Sequence, residues 1–374
     1  MEIRVALLYA TVGTGHRTAA LALGEWFRRE GQDVKVQCLD VLSFASPLVR
    51  GFISRSYLEM VKRAPRLWGY FYDTLDDPEA RDGLLGSLNE MTAKLNLRRL
   101  KRRLEAFGPH ALFCTHFFGA GPLAEAFAPQ VPLYYVNTDF LSHVFHRNRL
   151  FAGWFVAGPE AARQYAADGI TEKVHETGIP VFPAYASPPG REEARAALNL
   201  PREGRVVLVI SGGIGVGPIE EAVASLARRR DWTTLVVCGN NQRLLQRMRK
   251  LFSGASHVRI EGFVENILEH YAASDLVVMK PGGLCTSEVL CLGLPILLMD
   301  PIPGQEQRNS DYLLDRGAAR VLFEVRRTAE RAEEILEDPA ERARLREACA
   351  RLARPYAGRE VVRTVFQEQG WNQV

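Results

Sequence analysis

The densest run of chemistry-bearing residues in the chain is Lys280–Tyr312, which reads KPGGLCTSEVLCLGLPILLMDPIPGQEQRNSDY. Two short apolar runs, Leu276–Met279 just before it and Pro295–Met299 within it, are each suited to a buried strand of a parallel sheet. Pro281-Gly282-Gly283 breaks the first run, and Thr286 and Ser287 are expected to precede a helix. Unpaired N–H groups and the positive dipole end then converge at the helix start, which suits a phosphate. Glu288 is expected in the same first turn, where a carboxylate is stabilised and can accept bonds from a diol such as a ribose. The second run leads to a loop carrying Gln305, Glu306, Gln307, Arg308 and Asn309 in succession. A lone helix cap and polar turn would explain either loop. Two such loops after consecutive strands argue for a ligand site.

A second candidate lies at the start of the chain. Ile3–Tyr9 reads as a strand, followed by a glycine loop with Gly13, Gly15 and His16, then a helix from about Thr18 to Glu30 and a strand Val34–Leu39. His16 follows the glycines at the carboxyl end of the first strand, and a neutral imidazole can take a proton from a hydroxyl. Asp139 ends another strand, Leu133–Val136, and faces the same crevice. The alternatives are a local backbone bond for His16 and an N-cap or turn role for Asp139. His143 and His146 have no third ligand in view, so no metal is expected.

These elements imply an architecture. A strand, glycine loop and helix opens the chain, and the pattern restarts at Val206–Ile210 with the loop Ser211-Gly212-Gly213 before a helix at Ile219–Arg230. Between them Pro183, Pro188, Pro189 and Gly190 read as a linker. At 374 residues two domains are the default. The expected division is an acceptor and membrane-binding domain at 1–182 and a linker at 183–200. A nucleotide-binding domain at 201–355 follows, with a helix at 356–374 packing back on the first domain. The expected class is α/β, with two Rossmann-like domains facing each other across a cleft.

Composition excludes several classes. A net charge of +3 is too small to argue for nucleic acid. Six scattered cysteines without a CxxC pair read as thiols in a reducing compartment. No apolar run approaches the roughly twenty residues needed to span a bilayer, and a cytoplasmic location is expected. Residues 43–103 differ from the rest, mixing aromatic residues such as Trp68 and Tyr70 with Arg and Lys. The series Lys94, Arg98, Arg99, Lys101, Arg102 and Arg103 has no acid between its members. Such runs are often solvated helix faces, yet the mixture also suits an anionic membrane surface.

The segments GTGHRTAA, PGGLCTSE and LGLPILLMDPIPGQEQRN together resemble the monogalactosyl- and processive diacylglycerol glycosyltransferases of glycosyltransferase family 28. More distantly they are similar to the peptidoglycan N-acetylglucosaminyltransferase. The resemblance implies a GT-B fold, an inverting transfer of glucose or galactose, a UDP-sugar donor, and diacylglycerol or a glycosyl-diacylglycerol as acceptor. It implies a hexosyltransferase needing no cofactor beyond the donor, bound peripherally to the cytoplasmic face of the membrane. Glu288 matches the ribose-binding glutamate, and Gln305 and Glu306 match the residues that hold the sugar hydroxyls. Gly212, Gly213, Asn240, Gly282, Gly283, Thr286, Ser287 and Asn309 fall in the matching donor loops, and the base is expected near Phe263 and Val264. Thr11 stands where plant members carry an acid. A UDP-sugar 2-epimerase of the same architecture and a non-catalytic UDP-sugar sensor are the alternatives.

Overall fold

The computed structural model describes residues 2–11, 13–46, 69, 97–128, 130–213, 215 and 217–371. Most of the aromatic and basic stretch expected at the membrane lies outside them. The chain divides into two compact units. One comprises Met1–Pro183, Ile302–Arg308 and Tyr356–Val374, and the other Ala184–Pro301 and Asn309–Pro355.

The first unit is built on six parallel strands in the order β2-β1-β3-β4-β5-β6. They are β1 Ile3–Tyr9, β2 Val34–Asp40, β3 Ala111–Cys114, β4 Leu133–Val136, β5 Gly153–Val156 and β6 Val174–Glu176. β3, β4 and β5 are buried at every residue, because helices cover both faces of the sheet and leave no polar side. The helix Gly15–Glu30 buries Leu23, Trp26 and Phe27 against it. It begins three residues before the expected Thr18, since the Thr18 N–H already reaches the Thr14 carbonyl at 3.0 Å. His16 therefore sits in its first turn.

A late helix, Ala357–Gln369, completes this core. Its Val361, Val362, Val365 and Phe366 share one cluster with Val5, Leu7, Leu23 and Phe27. Gly358 lets it approach Trp26, because a Cβ there would lie 2.1 Å from the indole Cδ1. The indole is pinned in turn by its Nε1 donating to the Val181 carbonyl at 2.8 Å. The basic run resolves into the helix Arg98–Phe107, which buries Leu100 and Leu104 and exposes Arg98, Arg99, Lys101, Arg102 and Arg103. Among the described residues no helix is long and apolar enough to cross a membrane.

The second unit holds six parallel strands in the order β12-β11-β10-β7-β8-β9. They are β7 Arg205–Ile210, β8 Trp232–Val237, β9 Val258–Glu261, β10 Leu276–Met279, β11 Ile296–Leu298 and β12 Ala319–Val321. The proline-rich stretch joins this unit from Ala184 onward. Its helix Arg191–Ala197 is anchored by the fully buried Arg195, which pairs with Asp275 at 2.8 Å and donates to the carbonyls of Ala273, Arg202 and Gly204. All six cysteines are free thiols. In both sheets the strand order reverses once, between β1 and β3 and between β7 and β10. Open α/β sheets bind ligands outside the strand ends at such points.

Candidate active site

At the first reversal point His16 is held from two sides. Its Nδ1 lies 2.7 Å from the Thr115 carbonyl oxygen and 2.9 Å from the Thr138 hydroxyl. A carbonyl can only accept, so Nδ1 carries the hydrogen and Nε2 keeps the lone pair. Thr115 closes the arrangement by donating its hydroxyl to the His16 carbonyl at 2.9 Å. Both threonines stand where β3 and β4 run out, so the sheet itself sets the ring's position. Burial lowers the His16 pKa, opposed by the negative charge of Asp139 and by the bond to Thr115. The ring is thus kept as a neutral base. Asp139 acts on it through charge, while Thr115 and Thr138 hydrogen-bond to the imidazole and orient it.

His116 packs edge-on against His16 with ring centroids 4.5 Å apart. Burial and the neighbouring histidines drive its pKa well down. Its Nδ1 accepts from the Phe118 N–H. His143 and His146 likewise serve the backbone, accepting from the N–H groups of Phe145 and His143. Around Gly13 the space where a side chain would stand is open. Thr11 donates its hydroxyl to Asp40, whose carboxylate also caps the turn at Leu42. Gln305 and Glu306 open the helix Gln305–Asp315; the expected loop is a helix start, because the Gly304 carbonyl already accepts from the Arg308 N–H. Gln305 donates to Asp139, and Glu306 accepts from the Ile302 N–H at 2.8 Å.

The second unit collects the remaining donor residues. The helix after β10 starts at Gly283, not after Ser287. Pro281 and Gly282 already turn the chain, so the first turn of the helix is made by Gly283, Leu284 and Cys285. Glu288 consequently lies in the second turn. Thr286 is fully buried and its hydroxyl has no hydrogen-bond partner. Ser287 donates back to the Gly283 carbonyl at 2.9 Å. Glu288 is buried beside Tyr271 and Tyr185, and the Tyr271 hydroxyl lies 3.4 Å from its carboxylate. Burial pushes the Glu288 carboxyl up to about 7, and the two tyrosine hydroxyls hold it below what burial alone would give.

The glycine loop after β7 is tied to the loop after β8. The Asn240 N–H donates to the Gly213 carbonyl at 2.9 Å, and the Asn241 side chain to the Gly215 carbonyl at 2.8 Å. Gly215 has φ +64°, and a Cβ there would lie 2.1 Å from the Cys238 carbonyl oxygen, so no other residue fits. Gly212 has open space above it. Asn309 donates to the Pro281 carbonyl at 3.0 Å, fixing the PGG turn to the following helix. Phe263 is half exposed beyond β9, with Val264 next to it. Thr115, Thr138, Tyr185 and Tyr271 were not expected at either site. The threonines end strands, a signal the sequence carried; the tyrosines carried none.

The monogalactosyldiacylglycerol (MGDG) synthase family model matches residues 16–181, and that of the glycosyl transferases group 1 matches residues 191–351. A processive diacylglycerol beta-glucosyltransferase of Bacillus cytotoxicus is 28% identical over 369 residues, spanning 98% of this chain and 94% of that protein. The one from Bacillus mycoides gives the same identity and coverage. Among solved structures, MurG of Acinetobacter baumannii has a TM-score of 0.60 at 17% identity, over 98% of this chain and 99% of its own. The S. aureus MnaA–UDP structure has a TM-score of 0.68 at 14% identity, over 100% and 98%. Likenesses at that identity speak to the fold, a two-domain α/β architecture of GT-B type. With His16 and its threonine clamp in one matched segment and the glycine loops in the other, the chain is similar along its length to the monogalactosyldiacylglycerol synthases and processive diacylglycerol glucosyltransferases, and is a glycosyltransferase.

Proposed function

We propose that the protein moves glucose or galactose from a UDP-sugar to the hydroxyl of diacylglycerol or of a glycosyl-diacylglycerol, with inversion at the anomeric carbon. The observation that carries this reading is the Thr115 bond to Nδ1 of His16, which leaves Nε2 as a base at a strand-end crevice. The names of the full-length relatives and the UDP in solved structures of the same fold support the two substrates.

In this reading Nε2 removes the acceptor's proton as its oxygen attacks the anomeric carbon. The bond from that carbon to the β-phosphate oxygen breaks, and its electron pair leaves with UDP. Glu288 accepts the ribose hydroxyls, and Gln305 and Glu306 hold the sugar. The first-turn N–H groups at Gly283 and the glycine loop face the diphosphate, a role backbone donors can fill without a metal or cofactor. The acceptor stays in the bilayer, so the enzyme works as a peripheral protein on the cytoplasmic face of the membrane.

The test is incubation with UDP-glucose or UDP-galactose, with and without diacylglycerol, following UDP and lipid products. Lipid-dependent UDP release with a glycolipid product is expected, and the preferred sugar names the donor. Rearrangement of the UDP-sugar without lipid would make the protein an epimerase. Binding without turnover would make it a sensor.

A further inference from the structure

Three neighbouring strands of the second sheet deliver a buried cation. Met279, the last residue of β10, pairs with Ile210 of β7 and Leu298 of β11, so Lys280 emerges level with Ser211 and beside the segment that leads to Asp300. This is the reversal point of that sheet. The Lys280 side chain is 8% exposed, and its ammonium lies 3.3 Å from the Asp300 carboxylate, itself 53% exposed. Asp300 holds φ +42°, a left-handed conformation uncommon outside glycine. Across from it, Gly217 has φ +130°. A Cβ there would stand 3.0 Å from Lys280 Cε and 3.5 Å from the Ser211 hydroxyl. The glycine loop therefore closes directly onto the lysine stem.

An enclosed lysine of this kind is an uneconomical way to stabilise a fold. Burying an ammonium is costly, and apolar residues of similar volume serve a core as well or better. The charge nevertheless lies between a glycine loop and the start of the helix at Gly283, where backbone N–H groups already favour an anion. Its partner Asp300 is the half that solvent reaches.

We propose that Lys280 binds the diphosphate of the nucleotide-sugar and neutralises it as the leaving group, with Asp300 holding the ammonium between turnovers. This rests on the donor reading above. As the bond from the anomeric carbon to the β-phosphate oxygen breaks, both electrons pass to that oxygen, and the ammonium faces the charge that develops there. The acceptor oxygen forms the new bond to carbon, and its proton goes to His16. A point charge on a stem fixed by the glycine loop suits this task, since the phosphate needs compensation at one place only.

The test is calorimetry of UDP and of uridine against the parent, Lys280→Met and Asp300→Asn, with circular dichroism to confirm folding. Lys280→Met should weaken UDP roughly ten- to hundredfold and leave uridine unchanged, as expected for losing one charge-assisted contact. Asp300→Asn keeps a residue tolerant of positive φ and removes the competing carboxylate, so UDP should bind more tightly. Equal UDP affinity in the parent and a folded Lys280→Met overturns the lysine's role while leaving the donor reading intact. Loss of UDP and uridine binding together in that variant also overturns it, marking Lys280 as structural. A parent that binds neither ligand overturns both readings.

Discussion

Nδ1 of His16 lies 2.7 Å from the backbone carbonyl of Thr115, a residue ninety-nine positions away in the chain. A backbone acceptor cannot be altered by substitution and cannot protonate, so it fixes the imidazole tautomer more firmly than a carboxylate could. Replacing His16 with Ala should lower turnover by a factor of roughly 10² to 10⁴, the usual contribution of a general base, with UDP affinity unchanged. Asp139→Asn should cost less, because the ring keeps both threonine bonds. A dead Asp139→Asn beside a nearly active His16→Ala would reverse the two roles.

Thr138→Val tests the second half of the clamp. The hydroxyl is 2.9 Å from Nδ1, and its loss leaves the ring held by Thr115 alone. The expected outcome is a fall in kcat of several-fold to tenfold with KM for both substrates retained, about the worth of one neutral hydrogen bond of roughly 1 kcal/mol. An unchanged kcat would show that Thr115 alone is enough.

Donor affinity should depend on pH through Glu288. Its carboxyl is raised by burial to about 7, and in the proposed role the ionised form is the stronger acceptor for the two ribose hydroxyls. UDP affinity should therefore be full above about 7 and fall roughly tenfold per pH unit below it. The fold responds in the opposite sense. The favoured form is protonated, so this group's contribution to stability is complete at low pH and is lost as pH rises through about 7. His16, lowered by burial, does not set this acid limb. Tyr271→Phe removes a bond that holds the carboxyl down and should move the midpoint upward. Glu288→Ala should weaken UDP by about 1.5–3 kcal/mol and abolish the pH dependence. A flat pH profile in the parent would sink the assignment.

Much of this was legible in the sequence. Ile3–Tyr9, Leu133–Val136 and Leu276–Met279 stand as expected, because buried parallel strands are short apolar runs bounded by glycine or polar residues. The helix starts were misplaced at His16 and Glu288 for one shared reason. Neither start is marked by a capping bond: Thr14 makes no side-chain cap at the first helix, and Gly282 has no side chain to offer at the second. The tyrosines around Glu288 could not be read at all, since residues 185, 271 and 288 meet only once the sheet has formed.

Membrane association is tested through Arg98, Arg99, Arg102 and Arg103, which share the exposed side of one helix. Changing all four to Ser should release the protein from anionic vesicles in a sedimentation assay, each basic residue near such a surface being worth about 1 kcal/mol. Leu100 and Leu104 keep the helix in place, so turnover of detergent-dispersed acceptor should persist. Sedimentation equal to the parent's would make the run an ordinary solvated face.

Gly358→Ala sets two effects against each other. Alanine favours a helix by about 1 kcal/mol over glycine. Overpacking costs about 1–3 kcal/mol, and here the new methyl meets an indole that its bond to Val181 prevents from yielding. The clash should win, lowering the thermal midpoint. A rise in the midpoint would mean that the indole gives way.

The helix Ala357–Gln369 also has a consequence for biosynthesis. Its Val361, Val362, Val365 and Phe366 complete a core whose other members, on β1, the helix after it and β3 to β5, are translated first. The second unit is almost wholly synthesised in between. During translation at about 5–20 residues per second, the first unit must wait for this later-made helix with apolar surface uncovered, while the intervening unit is already able to fold. The enzyme's two halves thus mature in the reverse of the order in which they are made, and the window for chaperone capture falls on the half that carries His16.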